Sequence, residues 1–216
     1  MIKAVIFDMD GVIVDSEPLH FEVCMEVARK LGHKVEKDYF NKYVGVSNPV
    51  MWKEIIEELQ LEKSLDKILE LQLELTIKLF NESSLGAISG IIKLMEDLKR
   101  NGIVCAIASS SPVIFIEAVV KKLGLEKYLE FYFSGETLEK SKPEPDIFIE
   151  TAKKLGINFG EAIVIEDSTH GVEAAKRAEM KCIGYINSNS GNQNLSKADY
   201  ICKDINELSY DKIKNI

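Results

Sequence analysis

The chain opens with a short hydrophobic run that ends abruptly in acidic residues. Residues 3–7 are mostly apolar and rich in β-branched side chains, which predicts a buried strand, and Asp8-Met9-Asp10-Gly11 follows at once. While strand geometry lasts, residues two apart point to the same side, so the carboxylates of Asp8 and Asp10 should converge. Two converging carboxylates are costly unless a cation lies between them or one of them keeps its proton. The pattern therefore predicts a chemically active site at the end of the first strand.

After Gly11 the hydrophobic residues recur at helical spacing. The pattern predicts four helices between about residues 17 and 82, and no convincing strand among them. Their expected bounds are 17–31, 39–44, 47–59 and 64–80. We therefore expect residues 16–83 to form a small helical bundle.

Beyond this segment, strands and helices alternate. Strands are predicted at 104–108, 131–133, 162–165, 182–186 and 199–202, with helices at 90–100, 112–123, 146–155 and 171–178. Such alternation favours a parallel sheet with helices on both faces. Because the first strand belongs to the same sheet, we predict an α/β fold: a doubly wound, Rossmann-like core of residues 1–15 and 84–216 with an inserted helical cap.

Reactive side chains follow four of the predicted strands. They are Asp8 and Asp10, the serines of 109–111, the lysines of 140–143, and Glu166-Asp167-Ser168. Taken singly, these motifs are ordinary: a turn, a helix cap at Ser111-Pro112, solvated lysines, and acids at a helix start. Ligands of open α/β sheets bind outside the carboxyl ends of the strands. Together the motifs therefore predict a single site.

Composition narrows the possible partners. The 216 residues carry 35 acidic against 27 basic side chains, a formal net charge of -8, which argues against a nucleic-acid partner. No apolar run approaches the length of a membrane span, and no secretion leader is evident. The four cysteines have no paired spacing, which favours a reducing, cytoplasmic compartment. We expect a monomer that binds no membrane.

The ordered set Asp8-Met9-Asp10-Gly11, Ser109, Lys142-Pro143 and Glu166-Asp167 resembles the four motifs of the haloacid dehalogenase-like phosphotransferases. The helical segment after the first motif resembles the helical cap of that family. Residues 15–20, DSEPLH, further resemble the branch that contains β-phosphoglucomutase and sugar-phosphate phosphatases. Two aspartates in the first motif indicate phosphoryl transfer, because the family's dehalogenases lack the second.

The resemblance implies a role for each matched residue. It implies Asp8 as the nucleophile and Asp10 as the general acid and base. It implies Mg²⁺ as the cofactor, held by side-chain oxygens of Asp8 and Asp167 and by the backbone carbonyl of Asp10, with Glu166 in direct or water-mediated contact. The residues expected to bind phosphate or substrate are Gly11, Ser109, Ser110, Lys142 and His20, helped by amides at the helix start after Pro112. The substrate would be a small phosphorylated metabolite, with sugar phosphates as one candidate class.

Three functions remain open at this point. A mutase of the β-phosphoglucomutase type needs cationic groups for a second phosphate. At the matching positions this chain has Val44, Asn48, Gln72 (on a loose alignment) and Pro112-Val113. The pattern therefore favours a plain phosphatase over a mutase. Receiver modules of signalling systems also combine a parallel sheet, an acidic Mg²⁺ pocket and a lysine. They lack a helical insertion after the first strand and carry their phosphoacceptor on another strand, so they fit less well.

Overall fold

The chain forms two compact units. The computed structural model describes residues 1–43 and 47–216, apart from the side chain of residue 41. One unit comprises Met1–Asp15 with Leu85–Ile216, and the other comprises Ser16–Ser84. These bounds lie within one residue of the expected ones. That the smaller unit acts as a cap stays a prediction.

The larger unit contains a parallel β-sheet whose strand order is β3-β2-β1-β4-β5-β6. The strands are β1 Ala4–Phe7, β2 Val104–Ser109, β3 Leu129–Ser134, β4 Ala162–Glu166, β5 Lys181–Tyr185 and β6 Tyr200–Cys202. The α-helices among the described residues are α1 Glu17–Lys30, α2 Lys37–Phe40, α3 Asn48–Leu59, α4 Leu65–Glu82, α5 Ile91–Arg100, α6 Val113–Leu123, α7 Asp146–Leu155, α8 Thr169–Arg177 and α9 Tyr210–Ile213. The predicted α/β class is thereby confirmed.

Strand β1 lies at the centre of the sheet, between β2 and β4. All four of its side chains are inaccessible to solvent, as are most of those on β4. A strand buried on both faces needs a continuous hydrophobic run rather than an alternating one, and AVIF meets that need. Because all the strands are parallel, their carboxyl ends share one edge of the sheet.

The smaller unit is a helical bundle of α1 to α4. Its core contains Phe40, Trp52 and Phe80, each at most 2% exposed. The indole Nε1 of Trp52 donates a 2.9 Å hydrogen bond to Oε1 of Gln72 on α4, so this polar pair is buried but satisfied. The four helices predicted for this segment are confirmed. The predicted end of the second helix, at Val44, lies outside the described residues.

The structure corrects some element boundaries. Strand β3 begins at Leu129 rather than 131, because it is extended through an irregularity in its pairing with β2. Helix α8 begins at Thr169 rather than 171, because the Ser168 hydroxyl caps it by accepting from the Gly171 amide. Within the described ranges no helix is both long and apolar enough to cross a membrane.

Candidate active site

The loop after β1 places Asp8 at the carboxyl edge of the sheet. The Asp8 amide still donates to the carbonyl of Ile165 on β4, and its side chain is only 6% exposed. The chain then turns through Gly11, which has φ +80°. A Cβ at Gly11 would lie 2.0 Å from Oδ2 of Asp167, so only glycine fits both the backbone angle and the space. The first and fourth motifs are thus in direct contact.

Lys142 lies between two buried carboxylates. Its Nζ is 2.5 Å from Oδ1 of Asp8 and 2.7 Å from Oε1 of Glu166. The lysine side chain is 10% exposed, and those of Asp8 and Glu166 are 8% and 1% exposed. Lys140, two residues earlier, is solvent-exposed. Of the two lysines in this motif, Lys142 is therefore the one in the site.

Negative charge exceeds positive charge in this cluster. Burial raises the pKa of Asp8 well above its ordinary value; Lys142 opposes the shift, and the neighbouring carboxylates add to it. Burial and then Glu166 raise the pKa of Asp167 to about 7. Burial by itself lowers the pKa of Lys142, but the carboxylates of Asp8 and Glu166 outweigh burial, so its pKa is raised. The site therefore favours a further cation.

Glu166 is held from its other side by the start of α8. Its Oε2 accepts from the Ser168 amide at 2.8 Å and from the Ser168 hydroxyl at 2.9 Å. A Cβ at Gly171 would lie 1.7 Å from Oε1 of Glu166. The carboxylate is thereby packed directly against the α8 backbone, and a larger residue at position 171 would displace it.

Asp10 contacts the serines that follow β2. Its Oδ2 accepts from Oγ of Ser111 at 2.7 Å and from Oγ of Ser109 at 3.3 Å. Ser109 is 1% exposed and also accepts from the Ser111 amide at 3.0 Å, whereas Ser110 is exposed. The first and second motifs therefore also meet at this edge.

The contact made by Ser111 was not predicted. The Ser111-Pro112 pair indicates a helix cap, but the N-cap is Pro112 and α6 begins at Val113. The Val113 amide, expected among those that bind phosphate, donates instead to Oε2 of Glu136 at 3.2 Å. The strand-end position of residues 109–111 predicted that Ser111 lies near the site, but not that it bonds to Asp10.

A second group of contacts comes from the loop after β5, which the sequence pattern indicates only as polar. The Ser190 hydroxyl donates to Oδ2 of Asp167. Nδ2 of Asn187 donates to the Gly11 carbonyl at 3.0 Å, and Nδ2 of Asn189 lies 2.5 Å from Oδ2 of Asp15. This loop therefore contacts both the first and the fourth motif.

His20 lies in the smaller unit, on α1. Its Nε2 is 3.7 Å from Sγ of Cys24, one helical turn along. Its expected contact with substrate stays a prediction.

The donor set suits a hard divalent cation. Asp8, Glu166 and Asp167 offer carboxylate oxygens, the ligands that Mg²⁺ prefers. Over residues 1–43 and 47–216, no three His, Cys, Asp or Glu side chains are arranged as a ready metal cluster. Lys142 bonds to two of the expected ligands, Asp8 and Glu166. The buried carboxylates outnumber the one buried lysine, and this excess of negative charge is the observation that supports a Mg²⁺ site here.

Comparison with known proteins agrees with this geometry. A family model for the haloacid dehalogenase-like hydrolases matches residues 5–185. The chain belongs to this family, as the motifs predicted.

A phosphorylated carbohydrates phosphatase of Thermotoga maritima is 32% identical over 197 residues, covering 91% of each chain. Hexitol phosphatase B of Escherichia coli is 28% identical and covers 84% of this chain and 82% of its own. The crystal structure of β-phosphoglucomutase from Clostridium difficile superposes with a TM-score of 0.82 at 28% identity, over 100% of this chain and 96% of that one.

Proposed function

We propose that this protein is a Mg²⁺-dependent phosphatase that hydrolyses a small phosphorylated metabolite of the sugar-phosphate class. The observation that carries the proposal is the buried Asp8 carboxylate paired with Lys142, with Asp10 two residues away on the same loop. The names of the similar phosphatases from Thermotoga maritima and Escherichia coli support the substrate class.

Asp8 is the nucleophile in this proposal. A carboxylate oxygen of Asp8 forms a bond to phosphorus while the bond between phosphorus and the ester oxygen breaks, which leaves an aspartyl-phosphate and an alkoxide. Burial next to Lys142 holds the carboxylate in one orientation for attack. Water then attacks phosphorus, the acyl-phosphate bond breaks, and Asp8 is regenerated with release of inorganic phosphate.

Asp10 transfers the protons. In its acid form it donates a proton to the departing alkoxide oxygen, and as a carboxylate it later takes a proton from the attacking water. The hydroxyls of Ser109 and Ser111 fix its Oδ2 and so orient the side chain. Asp10 therefore regains, from the attacking water, the proton that it gave to the leaving group.

Lys142, Ser109, Ser110 and the Gly11 backbone bind the non-bridging phosphate oxygens. The side chains of Asp8, Glu166 and Asp167, with the Asp10 carbonyl, would hold Mg²⁺. When bound, Mg²⁺ neutralises phosphate oxygens that the acidic site would otherwise repel.

A mutase of the β-phosphoglucomutase type is the second candidate, favoured by the structural similarity to that enzyme. It needs a second phosphate site. Gln72, which loosely aligns with a mutase lysine, is 4% exposed and bonded to Trp52 inside the helical bundle. Pro112 and Val113 stand where the mutase pattern has lysine and asparagine. These substitutions favour phosphatase over mutase. A phosphoaccepting receiver module is disfavoured because the chain belongs to a hydrolase family.

A panel of phosphorylated metabolites with Mg²⁺ tests the proposal. We expect sustained release of inorganic phosphate, and no isomerised product from β-glucose 1-phosphate primed with the bisphosphate. Asp8→Asn should abolish turnover, whereas Asp66→Asn, an exposed aspartate on α4, should match the wild type. Phosphate release by Asp8→Asn at the wild-type rate would exclude Asp8 as the nucleophile. Dominant isomerisation would establish the mutase.

A further inference from the structure

The loop after β5 makes buried contacts that the proposed mechanism does not use. Residues 187–190 contribute two inaccessible polar side chains, those of Asn187 and Ser190, which are 8% and 7% exposed. Ser188, between them, is exposed. A polar side chain is rarely buried in a loop without a specific partner, because an unpaired buried hydroxyl or amide is costly. In both cases the partner belongs to a motif of the active site.

Ser190 contacts Asp167. Its hydroxyl donates to Oδ2 of a carboxylate that is itself 5% exposed. A hydrogen bond to an ionised group is about twice as strong as a neutral one and fixes the orientation of the carboxylate.

The same carboxylate oxygen also faces the backbone of the first motif. A Cβ at Gly11 would lie 2.0 Å from Oδ2 of Asp167 and 3.0 Å from Oγ of Ser190. The absence of a side chain at Gly11 therefore leaves the space in which Oδ2 of Asp167 meets the serine hydroxyl. A larger residue at position 11 would displace both groups.

The same loop also fixes Gly11. Nδ2 of Asn187 donates to the Gly11 carbonyl at 3.0 Å, and the distance from Nδ2 to Oδ1 of Asp15 is 3.4 Å. One short segment thus contacts the loops after β1 and β4, which carry Asp8 and Asp167. The segment therefore links the two loops that carry those carboxylates.

We propose that Ser190 is a positioning residue that holds the Asp167 carboxylate in the orientation needed to bind a divalent cation. The inference rests on the proposed Mg²⁺ dependence and deepens it. Ser190 touches neither substrate nor cation; it acts through Asp167. Removal of a hydrogen-bond partner of a metal-ligating side chain typically lowers the affinity for the metal by about 10- to 100-fold.

Calorimetric titration of the full chain with Mg²⁺ measures this role without turnover. We expect Ser190→Ala to weaken Mg²⁺ binding by about tenfold or more. Ser190→Cys, which keeps the size but donates weakly, should lose a similar factor. Ser190→Thr keeps the hydroxyl and should restore most of the affinity, and Ser188→Ala, a matched change at an exposed position of the same loop, should leave the affinity unchanged.

Steady-state kinetics separate positioning from a general structural defect. In Ser190→Ala the Mg²⁺ concentration for half-maximal rate should rise by the same factor as the dissociation constant, while kcat at saturating Mg²⁺ returns close to wild type. Circular dichroism and thermal unfolding in EDTA establish whether each variant is folded. If Ser190→Ala is not folded, the Mg²⁺ affinity of Ser190→Cys tests the proposal instead.

Two failures are distinguishable. If the wild type binds Mg²⁺ and releases phosphate, but Ser190→Ala and Ser190→Cys bind Mg²⁺ as tightly as Ser188→Ala, the positioning role is refuted and the proposed function stands. If the wild type neither binds Mg²⁺ nor releases phosphate, the proposed function fails and this inference fails with it.

Discussion

Replacing Lys142 with methionine should destabilise the protein in a manner that depends on pH. The ammonium group lies 2.5 and 2.7 Å from the carboxylates of Asp8 and Glu166, and all three side chains are almost inaccessible. At an effective dielectric constant of about 20, each such pair attracts with about 6 kcal/mol, most of which offsets the cost of burying the charges. Removing one partner leaves the others buried and uncompensated, which typically costs about 3–5 kcal/mol. We expect a loss of that size in the free energy of unfolding for Lys142→Met at pH 7.5 without Mg²⁺.

The sign of the pH dependence follows from proton binding. Without Lys142, nothing opposes the burial that raises the pKa of Asp8 above its ordinary 3.8. Between that value and the raised pKa, the folded variant binds more protons than the unfolded chain, so its stability falls as the pH rises. The deficit relative to wild type should therefore be largest near neutral pH and shrink as the pH falls and the buried carboxyl takes up its proton.

Urea denaturation of Lys142→Met and Lys140→Met at pH 7.5 and 5, both in EDTA, measures this effect. Lys140 is exposed in the same loop, so its replacement should change the free energy of unfolding by less than about 0.5 kcal/mol. Equal stability of the two variants at pH 7.5, or a Lys142→Met deficit independent of pH, would show that Lys142 is not the counter-ion of Asp8 and Glu166. Lys142→Met should also lack phosphatase activity.

Two further changes test the neighbouring contacts. Ser111→Ala removes the 2.7 Å hydrogen bond to Asp10 and should lower kcat about tenfold for an alkyl phosphate. The loss should be smaller for p-nitrophenyl phosphate, because its leaving group needs less protonation. Equal losses of kcat for the two substrates would contradict the role of Ser111. Gly171→Ala places a Cβ 1.7 Å from Oε1 of Glu166 and should reduce kcat/KM at least about tenfold, whereas Gly160→Ala, which meets no atom within 4 Å, should match wild type. Identical kinetics for the two glycine variants would show that Glu166 tolerates displacement.

The sheet and the motif residues were predictable because each depends on local pattern. The run before Asp8 is hydrophobic at every position, which only a central parallel strand requires, and the groups after β2 and β4 follow strands of the same kind. Once the strands are parallel, their carboxyl ends must meet, and so the meeting of Asp8, Asp10, Ser109 and Glu166 follows from topology.

The individual hydrogen bonds made by loop residues beyond the strand ends were not predictable in this way. Ser111 and Asp10 are 101 residues apart, and Ser111-Pro112 satisfies the local rules for a helix cap equally well. Ser190 lies in a loop rich in serine and asparagine, where neither periodicity nor a neighbouring strand end distinguishes it from Ser188. The early start of β3 depends on an irregularity in its pairing with β2, which composition does not encode.

The central position of β1 has a consequence for biosynthesis. This strand precedes both of its partners in the chain, yet it pairs with chain near Val104 on one side and near Ala162 on the other. The segment from α1 to α4 can form by local contacts soon after it leaves the ribosome, whereas β1 must wait for most of the polypeptide. A nascent chain stalled between β2 and Ala162 would present four consecutive hydrophobic residues with one open backbone edge, an edge that could pair with another chain.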